Sequence, residues 1–324
     1  MEAPLASLVV TVSVESDMPR GLVPARTTLR NLAGVHRLQR LCERFGVKPT
    51  WLLTWPVIAG PEGERFARLA AEDRAELGVC LQPWTTPPFE AQEDRLSRAG
   101  VAALPAPSVA AKLGRLTEAF EHHLGQRPRA HRAVLAGLDG GTLQTLERLG
   151  YAIDTTAVPR IDARAEGGSD WREAPDVPWF PDRQRPVARG ASPVLEVPVT
   201  TGFSKKIPDF ADRWATRTAP ALRRVLEQQG LLTLLRLDPV AHEAAVLRPF
   251  ARRLVEDGLP CLHLALRSPE LVAGESRRCP EASDVERLFS TLEDLLRHLV
   301  DELRVQPRTL TGFAGWYLNE VALR

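Results

Sequence analysis

Short runs of apolar or β-branched residues alternate with longer amphipathic stretches along this chain. Six runs have the length of buried strands: 7–14, 50–58, 76–82, 195–200, 231–237 and 262–266. Seven stretches repeat apolar residues every three or four positions, as helices do: 29–45, 63–73, 108–124, 141–149, 210–229, 240–257 and 283–303. Buried strands that alternate with helices predict a parallel sheet, either open or closed into a barrel. In both layouts the functional residues follow the carboxyl ends of the strands.

Segment 156–194 interrupts this alternation. It is rich in proline, glycine and charged residues and has no steady period. Such a segment is either a linker between domains or a long loop over a pocket. We favour the loop, because strands and helices alternate in the same way on both sides of it. Residues 1–324 are therefore expected to form a single domain, with 156–194 at the rim of its pocket.

The composition is typical of a soluble globular protein, with 44% hydrophobic and 26% charged residues. The net charge of +1 provides no general attraction for nucleic acid or for a membrane surface. No apolar run reaches the ~18 residues that a membrane-spanning helix needs, and the amino terminus does not resemble a signal peptide. We therefore expect a cytoplasmic protein with a small-molecule partner. The pattern leaves its oligomeric state open.

Four cysteines are scattered along the chain, at Cys42, Cys80, Cys261 and Cys279. They show no C-x-x-C spacing and have no companion histidines at the distances of a zinc finger. Free thiols in a reducing compartment are the expected state, which agrees with a cytoplasmic location.

Five segments, in chain order, resemble the motifs of the polysaccharide deacetylase (NodB-type) family. They are TVSVESD (11–17), ELGVCLQPWTTPP (76–88), RPRAHRAVLAG with GYAIDTTAVP (127–137 and 150–159), LEVPVTTGF (195–203) and LHLALRSPELVAG (262–274). The second segment is similar to the family pattern E-x-G-x-H-x-H-x-W-x-x-P-P. Because the segments span nearly the whole chain in the same order, the resemblance is more specific than any one motif.

The resemblance implies a fold and a chemistry. Members of this family form an incomplete (β/α)7 barrel with the active site at the carboxyl ends of the strands. In active members an aspartate of the first motif is the base, while an acid and two histidines hold a divalent metal. A late histidine protonates the leaving amine. The metal lowers the pKa of its bound water to roughly 7.

The positions that carry this chemistry differ in the present chain. Ser13 stands where the base aspartate is expected, and a serine hydroxyl does not accept a proton near neutral pH. Cys80 and Gln82 replace the two histidines, and an amide oxygen is a poor zinc ligand. Arg267 replaces the late histidine and cannot transfer a proton. We therefore expect no metal or other cofactor, and a buried structural role for Cys80.

Two acids remain in the first motif. Glu15 or Asp17 matches the acid that holds the metal in the family, and both are candidates for ligand binding. In an enzyme with a rearranged site, either could serve as the base or as a ligand. The alternative is that they are solvated acids in the loop that follows a strand.

Three arginines are further candidates. Arg132 matches an arginine of the third motif, and Arg236 is similar to the arginine of a family L-R-P segment. Together with Arg267 they are expected to converge at the strand ends, where they would outnumber the nearby acids and bind an anion. The alternative is that each is consumed by an ion pair with an acid such as Asp238.

Two functions follow from this pattern. The favoured one is a protein with the deacetylase fold that lacks metal-dependent activity and either binds a sugar or an anionic carbohydrate-related ligand or partners a carbohydrate enzyme. Gln82 and Trp84 would contribute to that ligand site, with Trp84 as an apolar wall. The alternative is an active carbohydrate deacetylase, or another hydrolase of non-peptide C–N bonds. His131 fills a position that is aromatic in the family, so packing is its expected role.

Overall fold

The chain forms a curled β-sheet with helices on its outer face. The structure is a computed structural model that describes residues 6–17, 28–89, 100–206 and 233–320. The strands in those ranges are β1 (Ser7–Val14), β2 (Thr50–Leu53), β3 (Glu76–Leu81), β4 (Ala130–Ala133), β5 (Ile153–Asp154), β6 (Leu195–Glu196), β7 (Thr201–Phe203), β8 (Leu234–Arg236), β9 (Cys261–Arg267) and β10 (Gln306–Arg308).

The helices connect successive strands. Within the same ranges they are α1 (Val35–Arg44), α2 (Trp55–Ile58), α3 (Gly63–Ala71), α4 (Ala106–Leu124), α5 (Gly140–Leu149), α6 (Ala244–Glu256), α7 (Ala282–Leu296) and α8 (Leu310–Glu320). A π-helical segment, Arg297–Glu302, continues α7. Helices at several of these crossovers are what a parallel sheet requires.

Seven parallel strands lie side by side in the order β9, β1, β2, β3, β4, β5 and β6. β10 pairs with the first residues of β1, and β7 pairs with β8 in a separate antiparallel ribbon. No strand pairing in the described residues closes the gap between β6 and β9. It is bridged instead by single hydrogen bonds, such as that from the His263 backbone N–H to Thr200 Oγ1 at 2.7 Å. The result is an incomplete parallel barrel.

Alternation along the strands separates the two faces of the sheet. In β1, Leu8, Val10 and Val12 belong to the large apolar cluster beneath the helices, whereas Val9 belongs to a smaller cluster. That smaller cluster draws residues from strands all around the sheet and from α8, so it fills the barrel interior. Polar side chains line the interior above this cluster, toward the carboxyl ends of the strands.

Helix α8 closes the amino-terminal end of the barrel. Its first N–H groups are satisfied by strand residues: the Leu310 N–H donates to Thr50 Oγ1 at 3.1 Å, and the Thr311 N–H donates to Glu76 Oε2 at 3.1 Å. Gly78 follows Glu76 by two residues on β3, and a Cβ at this position would lie 2.7 Å from the Ala130 carbonyl oxygen. Glu76 and Gly78 thus have structural reasons for their place in the second motif.

The predicted elements are confirmed where the apolar pattern is long and shortened where it is not. Strand 50–58 ends at Leu53, because Thr54 leads into α2, and the run 195–200 gives only the two residues of β6. β4, β5, β7, β10 and α8 were not predicted. Helix 210–229 lies outside the described residues.

Segment 156–194 packs on the barrel through buried aromatic residues. Trp171 and Trp179 are buried edge to face, with ring centroids 6.4 Å apart. The indole N–H of Trp171 donates to the Ala136 carbonyl at 2.8 Å, which ties the segment to the end of β4. The single-domain organisation over 1–324 stays a prediction.

Two further expectations concern the cysteines and membrane-spanning helices. All four cysteines are buried and unpaired, as the sequence predicts. Among the helices of the described ranges, none has the length and apolar character required to cross a bilayer.

Candidate functional site

A cavity of about 600 Å³ opens at the carboxyl ends of the strands. It has an apolar wall from β4, the ribbon and segment 156–194, and a polar wall from β1, β9 and the loops after them. Its polar lining in the described residues is Ser13, Glu15, Arg132, Thr156, Glu166, Thr201, Arg236, Asp238, His242, Arg267, Glu270 and Arg278. Of the predicted site residues, the cavity thus brings together Ser13, Glu15 and the three arginines.

Glu15 presents a buried carboxyl to this cavity. Its side chain accepts no hydrogen bond and forms no ion pair within 4.0 Å in the described part of the chain. Burial raises the pKa of Glu15, the charge of Glu270 adds to that rise, and the charges of Arg267 and Arg132 oppose it. In its protonated form this carboxyl can donate a hydrogen bond to a ligand, and in its ionised form it can accept one.

Asp17, two residues later, is in the opposite situation. Its carboxylate accepts hydrogen bonds from Thr28 Oγ1 at 2.6 Å, from the backbone N–H groups of Arg30 and Asn31 at 2.8 and 2.9 Å, and from Asn31 Nδ2. It does not line the cavity. Every partner is a donor, so Asp17 anchors the start of the following helical turn and has no oxygen left for a ligand.

An ion-pair network occupies the polar wall. Asp238 pairs with Arg236 and, at 2.7 Å, with Arg278; Arg278 also reaches Glu270 at 2.7 Å, and Glu270 pairs with Arg267 at 2.8 Å. Burial opposes ionisation of Asp238, but the charges of Arg236 and Arg278 outweigh it and lower its pKa to about 2. Each arginine of this network therefore has a carboxylate partner, and the three arginines share two acids.

The expectation of free arginines is wrong for Arg236 and Arg267 for this reason. Four arginines and four acidic side chains line the cavity in the described residues. The sequence alternative, in which Arg236 pairs with Asp238, is what the structure shows. Glu270 plays the same part for Arg267, so neither of these two arginines is available as an uncompensated anion site.

Arg132 is the exception among the cavity arginines. It is buried on β4 and has no carboxylate within 4.0 Å in the described ranges. Its Nε donates to the Thr155 carbonyl at 2.9 Å and its Nη2 to His263 Nε2 at 3.3 Å, while Nη1 reaches Ser13 Oγ at 3.4 Å. Burial lowers the pKa of Arg132, although not enough to remove the charge of a guanidinium near neutral pH. A cation is thus held at the cavity wall by neutral acceptors.

His263 supports this arrangement from below. Its Nε2 accepts from Thr11 Oγ1 at 2.8 Å and from Arg132, so its proton lies on Nδ1, which donates to the Pro198 carbonyl at 3.0 Å. Burial and the charge of Arg132 lower the pKa of His263 to about 3. His263 is therefore a neutral acceptor that positions Arg132.

The two positions that resemble metal-ligand positions are held by buried side chains. Cys80 is fully buried, and burial, together with the charge of Glu15, strongly raises the pKa of its thiol, whereas metals bind the thiolate. Gln82 Oε1 already accepts from Ser16 Oγ at 3.0 Å and from Thr85 Oγ1 at 3.1 Å. Neither side chain lines the cavity. Over the described ranges, no three His, Cys, Asp or Glu side chains are grouped as a metal site.

Trp84 does not form the expected cavity wall. It is half-buried and packs against the barrel-interior cluster, and it is not a lining residue. The apolar wall consists instead of aliphatic side chains such as Val134, Val199, Leu234 and Leu235.

One part of the wall holds a strained backbone. Leu135 and Ala136 follow β4 and adopt left-handed conformations, with φ of 57° and 54°, although neither is glycine. Such residues cost of order 1 kcal/mol each and persist only where their surroundings fix them. Here the Ala136 carbonyl accepts from Trp171 Nε1 and from the Ser169 N–H at 3.1 Å. Segment 156–194 thus holds the cavity wall in shape.

Several site residues were missed by sequence reasoning. Glu270, Arg278, Thr156 and His242 line the cavity. Glu270 lies in a short 3-10 turn, and His242 belongs to the predicted helix 240–257 but precedes α6 in the structure. Glu270 falls inside the fifth motif, and that position was the one available signal. The others are brought to the cavity by loops, whose course the sequence pattern does not specify.

No protein-family model and no curated protein match this sequence. Solved structures do match. A protein of Parabacteroides distasonis, assigned as a glycoside hydrolase or deacetylase, is 12% identical, with a TM-score of 0.63 over 98% of this chain and 73% of that chain. A protein of Mycobacterium smegmatis, assigned as a polysaccharide deacetylase, is 16% identical, with a TM-score of 0.51 over 95% of this chain and 94% of that chain.

This chain has the incomplete (β/α)7 barrel of the polysaccharide deacetylase type. The fold prediction is confirmed. A 4-α-glucanotransferase of Thermococcus litoralis is also similar, at 10% identity and a TM-score of 0.54 over 96% of this chain and 40% of that chain. Identities this low show a shared fold and no more, because one fold hosts many functions.

Proposed function

We propose that this protein binds a carbohydrate-related small molecule in the cavity and lacks metal-dependent deacetylase activity. One observation carries the proposal: the cavity is present, whereas Cys80 and Gln82, at the positions that resemble metal ligands, are buried and do not line it. Gln82 Oε1 also accepts two hydrogen bonds from neighbouring hydroxyls. The donor set does not fit a catalytic divalent metal, so no reaction step through a metal is derived.

The cavity suits an organic ligand in size and lining. A volume of about 600 Å³ is within the range of small-molecule sites, which combine apolar walls with a few fixed polar groups. Glu15 and Arg132 are two such groups, and each lacks an internal partner of opposite charge within ion-pair distance in the described residues. The similar structures carry names that refer to carbohydrate chemistry, which supports the ligand class.

The absence of metal-dependent activity is the first testable consequence. We expect protein purified from medium supplemented with zinc, nickel and cobalt to contain far less than one metal ion per chain. We also expect no chelator-sensitive deacetylation of N-acetylated sugar oligomers, because the usual donors are missing. Elemental analysis and an acetate-release assay measure the two properties. Stoichiometric metal together with turnover that a chelator abolishes would overturn the proposal.

Ligand binding in the cavity is the second consequence. A thermal-shift screen of neutral sugars, acidic sugars and sugar phosphates is expected to give stabilising ligands. Ala265 lies on β9 and lines the cavity, so Ala265→Phe should fill space and weaken binding about tenfold or more. Ala111→Phe, the same change at an exposed position of α4, should leave binding unchanged. Equal binding by both variants would place the ligand elsewhere.

A second candidate function rests on Glu15. A carboxyl with a raised pKa at a cavity wall is a common form of general acid or base. A metal-independent hydrolase that uses Glu15 would show turnover that persists in chelator and is lost in Glu15→Gln. Asp17 is not part of this candidate, because all of its hydrogen-bond partners are structural.

A further inference from the structure

Among the arginines that line the cavity in the described residues, Arg132 differs from the others in its partners. Arg236, Arg267 and Arg278 each form an ion pair with Asp238 or Glu270. Arg132 has only neutral acceptors: a carbonyl, two hydroxyls and a neutral imidazole. A buried cation with no carboxylate in contact is unfavourable, so such groups are normally paired directly. The charges of Asp154, Glu15 and Glu196 act on Arg132 only from beyond ion-pair distance.

The Nη1 nitrogen of Arg132 is the least satisfied of its three donor nitrogens, and it lies against Ser13. Nη1 has a single contact with described residues, the long one of 3.4 Å to Ser13 Oγ, whereas Nε and Nη2 have the Thr155 and His263 acceptors. A guanidinium has five N–H groups, and Nη1 carries two of them. Ser13 and Arg132 both line the cavity, so a ligand there lies next to this pair.

We propose that Arg132 is the binding point for a carboxylate of the ligand, with the Ser13 hydroxyl beside it as a second donor. This inference rests on the proposed ligand-binding function and specifies its ligand class. A planar carboxylate matches the donors of a guanidinium, and the apolar wall can receive the rest of the molecule.

The neighbouring acids favour a single negative charge on the ligand. Glu15 faces the same cavity and has no hydrogen-bond partner for its side chain in the described residues, so its protonated form can donate to a ligand oxygen. Glu270 lines the same cavity and is paired with Arg267 and Arg278. A phosphate would bring a larger charge toward these acids, so a carboxylate is the better match.

Ser13→Asp and Ser13→Asn form a matched pair that tests this assignment. Both side chains have nearly the same size, but only aspartate places a carboxylate beside Arg132. Without any ligand, Ser13→Asp is expected to melt at a higher temperature than Ser13→Asn, because it supplies the missing counterion. If the aspartate variant melts at the same or a lower temperature, Arg132 does not lack a counterion and the inference is wrong.

The ligand test uses paired probes, glucuronate with glucose and N-acetylmuramate with N-acetylglucosamine, together with glucose 6-phosphate. Titration calorimetry on the full chain should show the carboxylate probes binding the wild type and Ser13→Asn at least about tenfold more tightly than Ser13→Asp. Neutral probes that bind as tightly as the acids, or that bind Ser13→Asp equally well, would leave the proposed function intact and overturn the inference. Preference for glucose 6-phosphate would also overturn it. If no probe binds the wild type, both the ligand-binding proposal and this inference fail.

Discussion

Replacing Asp154 by alanine is expected to lower the free energy of unfolding by about 3–5 kcal/mol, the range measured when one member of a buried charged pair is removed. Asp154 is fully buried on β5, and the parallel register places it between His131 on β4 and Glu196 on β6. His131 Nδ1 donates to Asp154 Oδ2, and Thr156 donates from both its backbone N–H and its hydroxyl. The Asp154 carboxylate thus lies between side chains of the two strands that flank β5.

The charges in this cluster explain the size of the expected loss. Burial opposes ionisation of Asp154, but the charge and hydrogen bond of His131, with help from Glu196 and Thr156, outweigh it and lower the pKa of Asp154. Burial and the neighbouring Asp154 carboxylate raise the pKa of Glu196 well above its ordinary value. Without Asp154, His131 and Glu196 would both stay buried with fewer partners, and each already has one unsatisfied polar atom.

Urea denaturation followed by circular dichroism measures this loss. Asp154→Asn, which keeps an acceptor oxygen but removes the charge, should fall between the wild type and alanine. Glu118→Ala removes an exposed partner of Arg115 on α4 and should change stability by less than about 0.5 kcal/mol. A loss for Asp154→Ala as small as that of the surface control would show that the buried cluster is not important for stability.

Asp17→Ala is expected to destabilise the protein by about 2–4 kcal/mol, because several donors around a buried carboxylate would lose their acceptor together. Those donors come from Thr28, Arg30 and Asn31. Asp17→Asn should be nearly as harmful although it is isosteric. The new amide NH₂ would face donors only, and so it would find no acceptor.

Glu15→Gln is the contrasting control two residues away. Because the folded-state pKa of Glu15 is raised above its ordinary value of 4.5, the wild type loses stability as the pH rises from that value through the folded-state pKa. Glutamine does not titrate, so this variant should gain stability relative to the wild type at pH 8. The gain should vanish near pH 4. Denaturation midpoints measured between pH 4 and pH 8 test this expectation. An equal loss of stability for Asp17→Asn and Glu15→Gln would contradict the different environments of the two acids.

The sequence predicts the fold class because the signal for it is local. Long apolar strands such as β1 and β9, separated by amphipathic helices, give a parallel layout, and the ordered motifs specify an incomplete barrel. The strands that were missed lack such a signal. The segment AHRA of β4 has no apolar run, since His131 and Arg132 are polar residues that find their partners on neighbouring strands.

The candidate site, like the fold, was predicted only in part. The sequence identifies Ser13, Cys80, Gln82 and Arg267 as site positions through the resemblance of the surrounding motifs, and their departure from the family pattern stays a prediction. The sequence does not distinguish Glu15 from Asp17, which belong to the same motif and have the same charge. Their environments differ because Asp17 meets donors from the next turn of the chain, whereas Glu15 turns into the cavity.

Periodicity along the chain predicts a parallel sheet, and the resemblance of the ordered motifs predicts the incomplete barrel with a site at its strand ends; the structure confirms the barrel. The pairing of the charged side chains is visible in the folded structure alone. Arg236 and Arg267 are neutralised by Asp238 and Glu270, whereas Arg132 meets only neutral acceptors. The physical reason is that the partners of a buried charged side chain come from distant parts of the chain. Ser13 and His263, for example, reach Arg132 only when the strands close into the barrel.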